Sequence, residues 1–80
     1  MQLLEQLQES LTKGLHYLEF KGYSHDPALK HLYRVGRGHD TCLKEVVPSM
    51  SETSKDRQEY LKVVQDYLVI LDAAMNELEE

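Results

Sequence analysis

Residues 60–78 read YLKVVQDYLVILDAAMNEL, and this stretch decides the fold that the sequence predicts. Its apolar residues recur at spacings of three and four, which is the pattern of an α-helix with apolar stripes. The first stripe consists of Leu61, Val64, Leu68, Leu71, Met75 and Leu78. The stripe beside it consists of Tyr60, Val63, Tyr67, Ile70 and Ala74. Because residues 68–71 are apolar on every side of the helix, we predict that this helix is the central, most buried element.

Two earlier stretches show the same spacing with narrower apolar faces. The seam of the first consists of Leu4, Leu7, Leu11, Gly14 and Leu18. The seam of the second consists of Leu29, Leu32, Gly36, His39, Leu43 and Val46. Three helices joined by short links indicate neighbours that run up, down and up. We therefore predict an all-α, antiparallel three-helix bundle in one domain over residues 1–80, with helices at about 2–21, 27–47 and 52–79.

Local signals set the predicted helix ends. Gly22 suits the left-handed position that ends a helix, and Asp26-Pro27 suits the start of the next. Gly36 and Gly38 each cost roughly 1 kcal/mol relative to alanine inside a helix, so a kink or break there stays open. The seam remains in phase across both glycines, which favours a continuous helix.

Two alternatives remain for the start of the third helix. Ser49 with Glu52 fits a capping box, and Thr53 with Asp56 fits one more loosely. The helix is therefore predicted to begin between residues 50 and 55.

Antiparallel pairing of the first two helices places Gly14 opposite Gly36, and Tyr67 of the third helix lies at the level of this hollow. We expect the two glycines to meet and the tyrosine to fill the space beside them. The predicted core consists of Leu11, Leu18, Leu32, Leu43, Leu61, Val64, Leu68 and Leu71.

Size and composition limit the possible classes of protein. A chain of 80 residues buries a small core, and its single cysteine, Cys42, excludes an intrachain disulfide. Such a chain needs a metal, oligomerisation or very good helix packing. The N-terminus lacks the basic region of a signal peptide, and the longest apolar run is too short to span a bilayer. We predict a soluble, cytoplasmic protein without a membrane partner.

The charges are unevenly distributed along the chain. The formal net charge of −5 argues against generic nucleic-acid binding. Residues 21–48 carry five bases and three acids, whereas residues 49–80 carry eight acids and three bases. A basic middle beside an acidic end favours antiparallel packing within one molecule or association between molecules.

His39 and Cys42 lie one helical turn apart on the seam of the second helix. One interpretation is a metal or redox pair, but a metal site needs three or four ligands. The other is a buried histidine that is hydrogen-bonded to Tyr60 or Tyr67, with Cys42 as a small core residue. We favour the second interpretation and predict no metal and no cofactor.

A basic stripe follows the opposite side of the second helix and consists of Lys30, Arg34, Arg37, Thr41 and Lys44. One interpretation is a solvated face that acids on neighbouring helices balance. The other is a docking surface for an acidic partner helix or a phosphorylated group.

Two short motifs resemble known families. His31-Leu-Tyr-Arg34-Val-Gly36 resembles the histidine phosphotransfer box, with an arginine in place of the lysine and the glycine one position late. That resemblance implies a helical bundle that carries phosphate on His31. Arg34-Val-Gly-Arg-Gly-His39 is similar to the motif of HEPN ribonucleases, with Val35 where a polar residue usually follows the arginine. It implies that Arg34 and His39 attack RNA at a dimer interface.

We predict that the protein is not an enzyme but a small interaction module of the adaptor, chaperone or inhibitor type. Its partner is expected to be a second copy, as a homodimer, or a larger protein. The alternative is a histidine phosphocarrier or a minimal ribonuclease that uses the second helix. The predicted partner-binding residues are Val63, Tyr67, Val69, Ile70, Lys30, Arg34, Arg37 and Lys44.

Overall fold

The structure, a computed structural model, describes residues 3–79 and side chains as far as Leu78. It contains three α-helices: α1 at Leu3–Phe20, α2 at Lys30–Glu45 and α3 at Lys55–Glu79. A single turn of 3-10 helix lies in each link, at Tyr23–His25 and at Val47–Ser49. The described residues contain no β-strand, and the helices pack as an antiparallel bundle. The predicted three-helix architecture is therefore confirmed.

The hydrophobic core lies along α1 and receives side chains from the other two helices. The buried apolar residues are Leu7, Leu11, Leu15, Leu18, Leu43, Val47, Leu61, Val64, Tyr67 and Leu71. Six of the eight predicted core residues are among them. The other two, Leu32 and Leu68, are partly buried and pack against this cluster.

The central helix is α1, so the prediction that α3 is central and buried all round is wrong. α1 packs against both other helices, whereas α2 and α3 contact each other least. Val69 and Ile70 of α3 keep 69% and 59% of their surface exposed. The physical reason is geometric, because two neighbours on one side of a helix cannot cover an apolar run that goes round it.

The first link ends α1 and begins α2 through backbone geometry. Gly22 has φ 78°, a left-handed conformation that glycine adopts without a steric penalty. Asp26 Oδ1 accepts a hydrogen bond from the Ala28 amide at 2.8 Å, and the Asp26 carbonyl accepts one from Lys30 at 2.7 Å. This turn delays the start of α2 from the predicted residue 27 to Lys30. α2 then runs without a break through Gly36 and Gly38.

The second link leads into α3 through Ser54, which neither predicted capping box includes. Ser54 Oγ accepts a hydrogen bond from the Arg57 amide at 3.4 Å, as an N-cap side chain does. Ser49 instead donates to the Val46 carbonyl within the 3-10 turn at 2.7 Å. Arg57 is buried and donates to the Met50 carbonyl at 3.1 Å, which fixes the link against the start of α3.

The two seam glycines make room for side chains rather than for each other. A Cβ atom at Gly36 would meet the Tyr67 hydroxyl and Leu15. The prediction that Tyr67 fills this hollow is confirmed. A Cβ atom at Gly14 would lie 2.7 Å from Leu71 Cδ2, so this glycine opens toward α3. The expected meeting of Gly14 with Gly36 is wrong, because side chains from α1 and α3 occupy the space at Gly36.

None of the helices within residues 3–79 combines the length and the apolarity that crossing a membrane requires.

Candidate protein-interaction face

Three polar aromatic side chains form the boundary between α2 and α3. His39 Nδ1 and Tyr60 Oη form a hydrogen bond of 2.7 Å. Tyr67 Oη donates to the Leu32 carbonyl at 2.6 Å. The ring centre of His39 lies 5.6 Å from that of Tyr60 and 5.2 Å from that of Tyr67. The predicted hydrogen bond of His39 to a tyrosine is confirmed, but His39 is half-buried rather than buried. We call these three residues the aromatic floor.

The aromatic floor is uncharged at neutral pH. Burial lowers the pKa of His39, because the charged imidazolium loses hydration. Burial also raises the pKa of Tyr67 to about 12. The pKa of Tyr60 is raised by burial first and by the neighbouring Cys42 second. Within residues 3–79, no three His, Cys, Asp or Glu side chains are grouped to hold a metal ion.

Val63 and Ile70 flank the aromatic floor on α3. They are seven residues apart, which is two helical turns, and Tyr67 lies between them on the side that faces α2. They keep 51% and 59% of their surface exposed. Two apolar side chains of α3 therefore stand beside the floor without a covering element.

The predicted exposed patch on α3 also included Tyr67 and Val69. The predicted exposure of Tyr67 is wrong, whereas Val69 is exposed as predicted but not beside Val63 and Ile70. Tyr67 is only 6% exposed, because its ring inserts at Gly36. Val69 is exposed on another side of α3, where it lines a groove of about 300 Å³ together with Ser10 of α1. Consecutive residues of a helix are rotated by about 100°, which separates Val69 from Ile70.

Val35 and Cys42 flank the same floor on α2. They are also seven residues apart, and His39 lies between them. Both are half-buried. Gly38 lies next to them on the outer side, and no atom comes within 4 Å of the position of its missing Cβ. We define the α2–α3 face by these apolar and glycine residues above the floor: Val35, Gly38, Cys42, Val63 and Ile70.

Charged side chains border the α2–α3 face on both sides. On the outer edge of α2, Arg34 lies one helical turn from Gly38 and Glu45 lies two helical turns from it. Asp66 lies one turn from both Val63 and Ile70 on the outer edge of α3, and Lys55 stands further along that helix. All four are exposed, and none makes an ion pair within the part of the chain that the structure describes.

The basic stripe divides into two parts. Arg37 Nη1 lies 3.3 Å from Glu19 Oε2, and the Tyr33 hydroxyl donates to the same carboxylate. That hydrogen bond is the main reason why the pKa of Glu19 is lowered. Lys44 Nζ lies 3.1 Å from Asp40 Oδ2.

The contact of Arg37 with Glu19 of α1 fits the interpretation of a solvated stripe that acids on a neighbouring helix balance, whereas Lys44 pairs with an acid of its own helix. Lys30 and Arg34 are exposed and form no ion pair among residues 3–79. Only these two members of the stripe are left with an unneutralised charge, and Arg34 borders the α2–α3 face.

The residues of the two family-like motifs lie in different surroundings. His31 is exposed. Arg34 is exposed on the outer edge of α2, whereas His39 belongs to the aromatic floor. Within one chain these two side chains lie on different sides of α2.

The sequence reasoning included Arg34 of α2 but missed the apolar contribution of this helix to the face. The seven-residue spacing of Val35 and Cys42 on either side of His39 places three side chains on one flank of α2, but it does not indicate which helix that flank meets. The chain matches no protein-family model, and no curated protein or solved structure matches it.

Proposed function

We propose that the protein is a small non-enzymatic interaction module that binds a helix of another chain on its α2–α3 face. The observation that carries this proposal is the exposure of Val63 and Ile70 beside the aromatic floor. Exposed apolar patches with a polar rim are typical of protein-interaction sites. Because α2 and α3 contact each other least, this is the side of the bundle that gains most from an added helix.

The chemistry of the floor supports a binding role. His39 and Tyr60 bond to each other and Tyr67 bonds to the backbone, so a partner that covers the floor does not need to supply a counter-ion. Tyrosines of this kind are enriched where proteins bind each other. A helix seated between α2 and α3 buries its apolar residues on Val63 and Ile70, in the helix-in-groove mode.

The test compares Ile70→Lys with Val69→Lys. Both change an exposed β-branched residue of α3 to lysine, but only Ile70 borders the α2–α3 face. Each tagged variant and the wild type capture proteins from native lysate, and bound chains are quantified by mass spectrometry. We expect wild type and Val69→Lys to retain the same stoichiometric partner, which Ile70→Lys loses. Equal capture by all three contradicts the proposal.

A second candidate is a histidine phosphocarrier, and the exposure of His31 is the observation that favours it. It is the weaker candidate, because Arg34 and Gly36 depart from the phosphotransfer box. The test is a search for acid-labile phosphate on the protein from cells, with His31→Ala and His25→Ala compared. We expect no such phosphate. A signal that His31→Ala abolishes and His25→Ala retains reverses the order of the two candidates.

The ribonuclease-like alternative requires Arg34 and His39 to converge. Within one chain they lie on different sides of α2, and His39 is hydrogen-bonded to Tyr60. An RNA-cleavage assay of wild type against His39→Ala tests it, and we expect neither protein to cleave RNA.

A further inference from the structure

We infer that the chain that covers the α2–α3 face is a second copy of the protein, related by a two-fold axis parallel to the long axis of the bundle. This inference rests on the proposed function and names its partner. In this arrangement α2 of each copy lies on α3 of the other, so that four helices surround two aromatic floors.

Two hydrogen bonds between α2 and α3 indicate which of their residues lie at the same height along the bundle, and we call such residues level. His39 bonds to Tyr60 and Leu32 bonds to Tyr67, and the numbers add up to 99 in both pairs. Because the His39 ring also lies 5.2 Å from that of Tyr67, this sum gives the level of a residue to within about one helical turn. By the same count, Arg34 is level with residue 65 and its neighbour Asp66. Glu45 is level with residue 54 and its neighbour Lys55.

These level pairs have opposite charges but lie on opposite edges of the face. Arg34 and Asp66 form no ion pair within the chain, and neither do Glu45 and Lys55. A rotation about an axis parallel to the helices keeps every level and exchanges the two edges. It therefore brings Arg34 of each copy to Asp66 of the other, and Glu45 of each copy to Lys55 of the other. Both ends of the face then gain a pair of opposite charges.

The other two-fold axis within the interface, perpendicular to the helices, is disfavoured. It lays α3 on α3, and when it is placed so that the partner's α3 covers both Val63 and Ile70, it passes near Asp66 and brings this acidic edge against its own copy. It also lays the edge with Lys30 and Arg34 against itself. Like charges facing each other across an interface oppose association, so the charge pattern selects the parallel axis.

Size and shape are consistent with this pairing. The molecule measures 40 by 20 by 18 Å, and one long side is comparable to the roughly 800 Å² that each partner buries in a stable complex. A second copy also buries apolar surface that the small core of an 80-residue chain without an intrachain disulfide cannot bury.

The experiment is sedimentation equilibrium at micromolar concentration on exposed-residue variants whose helix content is checked by circular dichroism. We expect the wild type to dimerise. Arg34→Glu and Asp66→Arg alone should each weaken self-association roughly tenfold, because each places like charges together twice in a symmetric dimer. Arg37→Glu is the matched control on α2, because Arg37 pairs with Glu19 of its own chain, and it should leave dimerisation unchanged.

The decisive sample is an equimolar mixture of Arg34→Glu with Asp66→Arg. In the mixed dimer both cross-chain pairs have opposite charges again, so we expect wild-type affinity to return. With the perpendicular axis, residue 34 lies near residue 34 of the other copy and residue 66 near its residue 66, so neither single substitution adds a pair of like charges and affinity does not fall.

Three results overturn the inference. They are a monomeric wild type, charge variants that associate like the wild type, and a mixture without recovery. A monomeric wild type that still captures another protein, through a face that Ile70→Lys disables, overturns the inference and leaves the proposed function intact. Capture that is insensitive to Ile70→Lys contradicts the proposed function itself.

Discussion

At the scale of single residues, Gly36 and Gly38 lie two positions apart in α2 but have opposite surroundings. A Cβ at Gly36 would displace the Tyr67 hydroxyl from the Leu32 carbonyl, whereas a Cβ at Gly38 would meet nothing within 4 Å. We expect Gly38→Ala to raise the free energy of unfolding by roughly 1 kcal/mol through helix propensity. We expect Gly36→Ala to lower it by about 1–3 kcal/mol through overpacking.

Urea unfolding followed by circular dichroism, with all proteins at one concentration, measures both effects. Stabilisation by Gly36→Ala contradicts the packing of Tyr67 against this glycine. A neutral Gly38→Ala would indicate that the position is not a simple exposed helical glycine.

His39 makes stability depend on pH. Burial lowers its pKa in the folded state, so the unfolded chain binds the proton more readily. The free energy of unfolding should therefore fall as the pH drops through about 6.5, the ordinary value for histidine, and stay high above it. His39→Gln keeps a hydrogen-bonding side chain for Tyr60 but removes the titrating group.

The measurement is urea unfolding between pH 8 and pH 5 for wild type, His39→Gln and His31→Gln. We expect His39→Gln to lose most of the slope between pH 7 and pH 5, and His31→Gln, a change at an exposed histidine, to keep it. The same slope in wild type and His39→Gln would assign the pH dependence to other groups.

At the scale of the helices, Ser54 is expected to set the start of α3. Its hydroxyl accepts a hydrogen bond from the Arg57 amide, which lies in the first turn and has no carbonyl partner inside the helix. Ser54→Ala should lower the free energy of unfolding by about 1 kcal/mol. Thr53→Ala, the preceding residue from one of the two predicted capping boxes, is the control and should have a smaller effect. The measurement is thermal and urea unfolding, and a larger loss for Thr53→Ala would place the cap one residue earlier.

Periodicity predicted the number, order and approximate bounds of the helices, but not what covers each one. Leu61, Val64 and Leu71 of the first stripe are buried as predicted, whereas Leu68 and Met75 are partly buried and Leu78 is exposed. Val69 is exposed because an apolar run shows only which side chains could be buried. The positions of the neighbouring helices decide which of them are buried. Both neighbours, α1 and α2, pack against one side of α3, and Val69 lies outside the part that they cover.

The candidate site was predictable in part for the same reason. Val63 and Ile70 could be identified from the sequence, because α3 has more apolar residues than two neighbouring helices can cover. Arg34 could be identified because it belongs to a basic stripe on an acidic chain. Val35, Cys42 and Gly38 could not, because the flank of α2 that meets α3 depends on the handedness of the bundle. The heptad-like spacing is identical for both hands.

At the scale of the whole molecule, α1 supplies the contacts that hold the bundle together, and the side opposite α1 is open. α2 and α3 meet mainly through the aromatic floor, with Val63 and Ile70 still exposed. A second copy bound on this side adds the free energy of association to the stability of the folded chain. The stability of each chain then depends on how much of the protein is present.

This coupling gives the last prediction, which concerns thermal unfolding. If the native state is a dimer, mass action stabilises it by roughly 1.4 kcal/mol of dimer for each tenfold rise in concentration. For a chain of 80 residues this corresponds to an increase of a few degrees in the melting temperature. We expect this increase for the wild type and for Val69→Lys. Ile70→Lys should instead melt at one lower temperature at every concentration, because burying a lysine at an apolar position of the face prevents pairing. Differential scanning calorimetry from 10 µM to 1 mM, about a hundredfold range, makes the comparison. A melting temperature of the wild type that is independent of concentration would show that the chain folds alone, and would contradict the coupling.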